Sequence, residues 1–287
     1  MTWFTFACLT ACAVAFRDVS VKTYEDLHPM EIAGIEVFWS LPMFGLGFYL
    51  VPTPELGPEF WRIFFISLPL NTVPYLLYLY AIKVSPLSLS VPFLSFTPLF
   101  MILTGFFILQ ETISVWGGLG IGCIVAGSYV LNLGTVDKSL WAPLTALFRE
   151  KGSWIMMIVA FLYAFAAVLG KEGILHSSPL YFSYFFFLTF NGLLLAGLLI
   201  TRKVKIQTIF KNSGRGLWIG GLFMSHITTH GIAIALGTAA YMIAVKRSSI
   251  LLSVLLSWLI LKEGDIKHRG LGTLLMFCGA VLITLLG

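Results

Sequence analysis

The sequence predicts an all-α membrane protein of ten transmembrane helices, arranged as two inverted five-helix repeats. Three observations lead there. Apolar residues dominate nearly every window of the chain, polar breaks recur at the spacing of bilayer spans, and one short run recurs in the second half.

Hydrophobic residues make up 58% of the 287 and charged residues 11%, with a mean hydropathy of +0.93. A soluble domain carries about 25% charged residues. Windows of about 20 residues are apolar enough here to cross a bilayer almost throughout, which leaves no room for a water-facing domain. The first run, from Trp3 to Ala15, has no basic region before it and no cleavage pattern before Arg17 and Asp18. It reads as a retained helix rather than a signal peptide. Cys8, Cys12, Cys123 and Cys278 all fall in apolar stretches. Cys8 and Cys12 share a helical face, but no His, Asp or further Cys joins them, so small core residues are expected rather than a metal pair or disulfides. The net charge of +5 and pI near 9.0 suggest a nucleic-acid partner only until the bases are located: they sit in short loops between spans, where they set orientation.

Polar breaks place spans at 2–21, 30–50, 60–82, 86–110 and 113–132, then at 153–172, 179–200, 216–236, 238–262 and 269–286. Residues 1–134 form the first repeat and 153–287 the second, joined by a linker over 135–152 in which Trp141 and Pro143 suggest an interfacial helical turn. The run Ile108-Leu109-Gln110-Glu111 returns as Ile260-Leu261-Lys262-Glu263, an offset of 152, and Gly118, Gly120 and Gly127 return at that offset as Gly270, Gly272 and Gly279. A repeat of five spans must insert with opposite orientation, and inverted repeats place a transporter's site where the halves meet. The glycines themselves read as helix-packing residues that let backbones approach in lipid. Gly118-x-Gly120-x-Gly122 lacks the preceding strand of a dinucleotide loop. No phosphate-binding GxxxxGK[ST] occurs, so no ATP hydrolysis is expected; the expectation is a carrier without a cofactor rather than an enzyme, since no further Asp, Glu or His converges with His226 and His230.

The residues from Tyr75 to Ala81 and Lys83, Pro98 within its apolar run, Leu109-Gln110-Glu111 and the glycine-rich span after it resemble the EamA module of the drug/metabolite transporter superfamily. Glu263 and Gly270 extend the resemblance through the second half. It implies a ten-helix EamA-like fold with a pocket lined by helices 1–4 and 6–9, and no particular substrate.

Bases separate strongly between the two faces. Odd-numbered connections hold fourteen, from Arg17 and Lys22 through the Arg202–Arg215 stretch to Arg269, while even-numbered ones hold Arg62 and Lys171. The positive-inside rule puts both termini on the non-cytoplasmic side of a plasma (inner) membrane.

Lys246 and Arg247 decide the functional expectation. If they formed a loop, the eighth span would run about 30 residues and the ninth would be too short to cross. With the turn at Gly237-Thr238 instead, they match Leu94 and Ser95 at membrane depth. Burying each costs about 2.5–3.5 kcal/mol on insertion scales, so such a pair is paired or functional. Glu36 is the acid expected more than a turn inside a span, and it cannot balance both. An ammonium beside a guanidinium suits phosphate or carboxylate. The doublet also resembles the Lys-Arg pair of the ninth helix in plastid sugar-phosphate translocators, which implies a phosphate grip. Ser249, Ser253 and Ser257 continue the Lys246 face.

His226 and His230 lie one turn apart, suited to hydrogen bonding or proton relay more than to a metal, since a third ligand is missing. Asn71 and Thr72, between Pro69 and Pro74, sit where freed carbonyls need a polar neighbour or a cavity. Tyr75, Tyr78 and Trp39 are further candidates to line the pocket. The expectation is a secondary carrier for a small anionic, phosphorylated or carboxylated metabolite, working by alternating access, monomeric or homodimeric, with H+ as a candidate coupling ion and the lipid bilayer as its surroundings. Alternatives left open are a lipid-phosphate flippase with a lateral opening, a neutral or cationic exporter if Lys246 pairs with Glu36, and a membrane-embedded enzyme on lipid phosphates using the two histidines.

Overall fold

The computed structural model describes residues 2–84, 91–133, 150–261 and 270–287. The expected linker turn around Trp141, the Lys262-Glu263 end of the repeated run, and Lys138, Arg149, Lys267 and Arg269 lie outside the described residues. Within them the chain is helical, and no strand occurs.

The helices are α1 (Thr2–Lys22), α2 (Pro29–Leu50), α3 (Pro58–Val84), α4 (Thr97–Leu109, entered through a 3-10 segment, Val91–Phe96), α5 (Val115–Leu133), α6 (Lys151–Leu175), α7 (Pro179–Ile200), α8 (Ser213–Leu236), α9 (two pieces, Ala239–Lys246 and Ser249–Leu256) and α10 (Gly270–Leu286). A short helix, Ile206–Lys211, lies in the α7–α8 connection. Among the described residues seven helices are long and apolar enough to cross a membrane, and Phe93–Leu109, Val115–Val130 and Gly270–Leu286 are shorter apolar helices. The turn expected at Gly237-Thr238 is present: α8 ends at Leu236 and α9 starts at Ala239. α6 starts two residues before the expected second-half boundary.

Local chemistry sets several helix starts. His28 accepts from the Met30 N–H while Glu31 accepts from the His28 N–H at 3.0 Å, a capping box that opens α2. Ser178 accepts from the Tyr181 N–H at 3.2 Å, with Pro179 next in line, and opens α7.

Packing brings the two halves of the chain together. α1 lies along α8 as α3 lies along α6, and α1 meets α9 as α6 meets α4. On α1 the buried stripe Ala7, Ala11 and Ala15 is small enough for α8 to come close, and Thr10 donates to Thr229 across that seam at 2.9 Å. α2 also lies close to α8, because a Cβ on Gly220 would stand 3.0 Å from the Ser40 nitrogen. The most extensive contact is α5 with α10. There Gly120 faces Gly279 and Gly127 faces Gly272: a Cβ at Gly120 would be 2.8 Å from the Gly279 carbonyl oxygen, and one at Gly127 would be 2.6 Å from that of Gly272. Partner numbers fall as the others rise, so the two helices run antiparallel. Gly120, Gly127 and Gly279 thus serve backbone approach, whereas Gly122 and Gly270 have open space where a Cβ would go and one at Gly118 would meet only the Ile113 side chain, at 3.9 Å.

At the face that holds the α4–α5, α6–α7 and α8–α9 connections, hereafter the even face, α3 and α7 meet through aromatic rings. Phe64 stacks on Phe185 with centroids 4.8 Å apart.

Candidate functional site

Charge converges at the centre of the molecule, and α9 is reshaped there. Its helix stops at Lys246 and resumes at Ser249, although no Pro or Gly stands nearby. Ser248 N–H turns back to the Val245 carbonyl at 2.9 Å and Ile250 N–H to that of Arg247 at 3.0 Å, so the chain tightens by one 3-10 turn. A contact across the core accompanies the break: Arg247 Nη2 donates to Thr97 Oγ1, at the start of α4, at 3.1 Å. The residues matched to Lys246 and Arg247, Leu94 and Ser95, lie in the 3-10 segment before α4. The chain therefore leaves α-geometry at both of the positions that the repeat matches.

The two cations reach different walls. Lys246 lies within electrostatic reach of Arg17 and Asp18 on α1 and of His226 and His230 on α8. Arg247 lies within reach of Tyr163 on α6. Both are enclosed by protein yet keep accessible surface, which is how residues lining an internal cavity behave.

Arg17 corrects the sequence expectation. Counted with the first connection, it is in fact inside α1, more than a turn from its end at Lys22, with Asp18 next to it. Arg17 grips Glu36 with a two-pronged contact, Nε to Oε1 and Nη2 to Oε2 at 2.6 Å, and also stands 3.4 Å from Asp18. The Glu36 side chain is only 7% exposed. Glu36 is thus matched by Arg17, not by Lys246. The Lys171 placement also needs correction, because it is buried near the end of α6 rather than in a connection. Removing one base from each face leaves thirteen (14 − 1) against one (2 − 1), so the asymmetry stands.

Four buried polar atoms around this centre have no protein partner: Arg247 Nε, His226 Nε2, His230 Nδ1 and Ser253 Oγ. The His226 and His230 rings are 5.9 Å apart, edge to face. Ser249 is 7% exposed; the side chain of Ser257 lies outside the described residues. On α3, Asn71, Tyr75 and Tyr78 share a helix face, and Tyr75 and Tyr78 are within electrostatic reach of Arg17. Asn71 and Thr72 donate back to the Ser67 and Leu68 carbonyls at 2.8 Å each, whereas the carbonyls that Pro69 and Pro74 leave without a helical donor are those of Phe65 and Leu70.

Trp39 is not brought into the centre. Its indole N–H donates to the Ile209 carbonyl at 3.3 Å, and its ring packs on Phe210 and over Gly216, next to the basic α7–α8 connection. Tyr163 and Thr97, which the sequence did not single out, take its place. Tyr163 had a signal, a lone hydroxyl in the middle of an apolar span. Thr97 had none. Among the described residues no group of three His, Cys, Asp or Glu side chains is arranged to hold a metal.

The arrangement is a polar, cation-rich centre in an apolar helical body. A solved crystal structure of another protein, 14% identical in sequence, matches this fold with a TM-score of 0.74 over 99% of this chain and 96% of its own. No curated protein matches the chain in sequence. Residues 1–133, a little under half of the chain, match the EamA-like transporter family, so the first half of this multi-pass membrane protein is similar to that family, whose resemblance was carried by Glu111 and the glycine-rich span.

Proposed function

We propose that the protein is a secondary transporter of a small anionic metabolite, phosphorylated or carboxylated, that alternates access to the central site between two inverted five-helix halves. One observation carries the anion: Arg247 Nε is buried without a partner beside Lys246, while the one well-buried acid nearby, Glu36, has both oxygens taken by Arg17. Formally the centre holds Arg17, Lys246 and Arg247 against Asp18 and Glu36, three positive charges against two. Asp18 is 47% exposed and shared with Arg17, so it neutralises Lys246 only in part. The guanidinium supplies a fork for an oxyanion and the ammonium a point charge, while the histidine nitrogens and Ser253 hydroxyl can hydrogen-bond the rest of the substrate. The antiparallel glycine seam of α5 and α10 supports the inverted relation of the halves. The exporter alternative required Lys246 to be balanced by Glu36, and the Arg17 pairing removes that requirement's basis.

The test is a thermal-shift screen of phosphorylated and carboxylated metabolites, followed by transport in proteoliposomes. Wild type should bind and carry a member of one class, and Lys246→Ala and Arg247→Ala, each shown to be folded, should not. Wild-type rates in both variants would remove the anion from the proposal.

We further propose that the face of the odd-numbered connections is cytoplasmic and both termini lie outside, in a plasma (inner) membrane; the excess of bases in those connections supports this by the positive-inside rule. A single cysteine at Asn212 on a cysteine-free background should be labelled from the cytoplasmic side alone. Labelling of intact cells by an impermeant maleimide reverses the orientation.

A further inference from the structure

A second buried charge cluster, remote from the central site, closes the even face. α4 ends on Gln110, whose φ of 55° is left-handed, and Glu111 N–H returns to the Gly105 carbonyl at 3.1 Å. That return at a left-handed helix end swings the Glu111 side chain back over the helix end. Its carboxylate then reaches two elements of the other half. Lys171 Nζ on α6 donates to Oε1, and the Ala239 N–H at the first turn of α9 donates to Oε2 at 2.9 Å. Lys171 donates again, at 2.5 Å, to the carbonyl of Gly237, the residue that ends α8. The acid sits at a helix N-terminus and the base at a helix C-terminus, so each complements the partial charge of the backbone it touches. The two side chains are 9% and 16% exposed. Neighbouring contacts tighten the same junction: Ser114 N–H donates to the Tyr241 hydroxyl at 3.1 Å, and Gly237 has Trp3 against it where a Cβ would stand.

We propose that Glu111 and Lys171 form the latch of the even-face gate, joining the α4–α5 corner to α6 and the α8–α9 turn in this state and parting when the central site opens to that face. The proposal rests on alternating access but not on the nature of the substrate. Its logic is positional. The Glu111 contacts run between the two halves rather than within one, they lie at one end of the molecule, and with the Lys171–Gly237 bond they end on the turn that leads into the broken helix carrying Lys246 and Arg247. Opening hydrates both charged groups, so the pair is lost without leaving either ion buried. A static staple has no such escape.

The two readings differ in what happens when the pair is broken. A cysteine at Ser249, on a background lacking the four native cysteines, reports access to the centre, and one at exposed Thr53 in the α2–α3 connection establishes which membrane side the even face occupies. Impermeant maleimide is applied from that side to wild type, Glu111→Gln and Lys171→Met in each reporter. The latch predicts that both variants fold and that labelling at Ser249 accelerates about tenfold or more, the effect of shifting the gate equilibrium by about 1.4 kcal/mol, while labelling at Thr53 is unchanged. Folded variants with wild-type labelling rates overturn the latch. So does failure of both variants to fold, because contacts that part in every cycle are not required for the fold. No substrate enters the measurement, so loss of the anion proposal leaves its outcome untouched.

Discussion

Two clusters of charge lie inside this membrane protein, and they are finished to different degrees. At the even face, each oxygen of Glu111 has a donor and Lys171 has two acceptors, all supplied by protein. At the centre, Arg247 keeps one hydrogen bond, to Thr97, and leaves Nε unpartnered, with a nitrogen of each histidine and the Ser253 hydroxyl also unmet. Charged and polar groups in a bilayer are expensive unless satisfied, and intramembrane ions mark function by default. The difference teaches how to sort them. Completed contacts hold helices in an arrangement, and incomplete ones are arranged for something else to complete.

The largest expected effect separates the clusters by their role. On the proposed function, truncating Arg247 or Lys246 removes a charge-assisted contact to the anion and should weaken binding by about 2–5 kcal/mol, with thermal stability unchanged or raised. Arg247→Lys keeps the charge and loses the fork, so it should fall between wild type and Arg247→Ala. Titration of the purified variants with the ligand found by screening checks this. Equal affinity across the series would erase the contrast with the completed cluster.

The Arg17–Glu36 pair sharpens the comparison, because it is a completed contact inside the incomplete cluster. Arg17→Met leaves Glu36 buried without its partner. Breaking a fully buried pair costs about 3–5 kcal/mol, and the 32% exposure of the Arg17 side chain lowers the expectation to about 2 kcal/mol. Glu36→Gln together with Arg17→Met should recover much of that loss. Unfolding midpoints in detergent read it, and a double variant as unstable as Arg17→Met would show that packing rather than charge dominates.

How far the sequence revealed these features depends on the range over which each is determined. The spans, the turn at Gly237-Thr238 and the packing use of Gly120, Gly127 and Gly279 follow from local pattern and bilayer thickness, and they were legible. The division between α8 and α9 was legible too, since only one fits two spans, and it puts Lys246 and Arg247 within α9 rather than in a connection. Arg17 was not, because a base near a helix end reads equally as a loop marker. Only the fixed position of Glu36 on another helix shows that it turns inward. The break in α9 carries no Pro or Gly, and Trp39 is drawn to the Ile209 carbonyl and Gly216 by tertiary contact alone. Long-range partners are what a single sequence does not display.

The glycine seam offers an uncharged control. Gly279→Ala puts a methyl where the Gly120 carbonyl oxygen lies only 2.5 Å away, so α5 and α10 must separate. The loss should be about 1 kcal/mol or somewhat more. Gly122→Ala enters open space and should be neutral or stabilising by a few tenths of a kcal/mol, since alanine favours the helix. Equal midpoints for the two variants would mean that the seam is looser than its geometry.

The smallest effect belongs to a charge pair outside the membrane body, where water does the satisfying. Arg215 Nη1 donates to both oxygens of Asp26, at 2.8 and 2.9 Å, and its guanidinium lies 4.9 Å from the Tyr24 ring centroid. These hydrogen bonds hold the Asp26 carboxyl below its ordinary range. A carboxyl depressed in the folded state stabilises it fully above its unfolded pKa, about 3.9, and the contribution disappears as pH falls through the lower folded value. Asp26→Asn should therefore melt slightly below wild type near about pH 7, and the two midpoints should converge as pH drops below about 3.9. Added salt should shrink the neutral-pH gap, because an exposed pair is screened. The unfinished centre is expected to gain from a ligand; this pair gains nothing from one, so ligand addition should raise the midpoints of wild type and Asp26→Asn equally. A gap that persists in acid, or one that widens with ligand, would place Asp26 in the working machinery rather than on its rim.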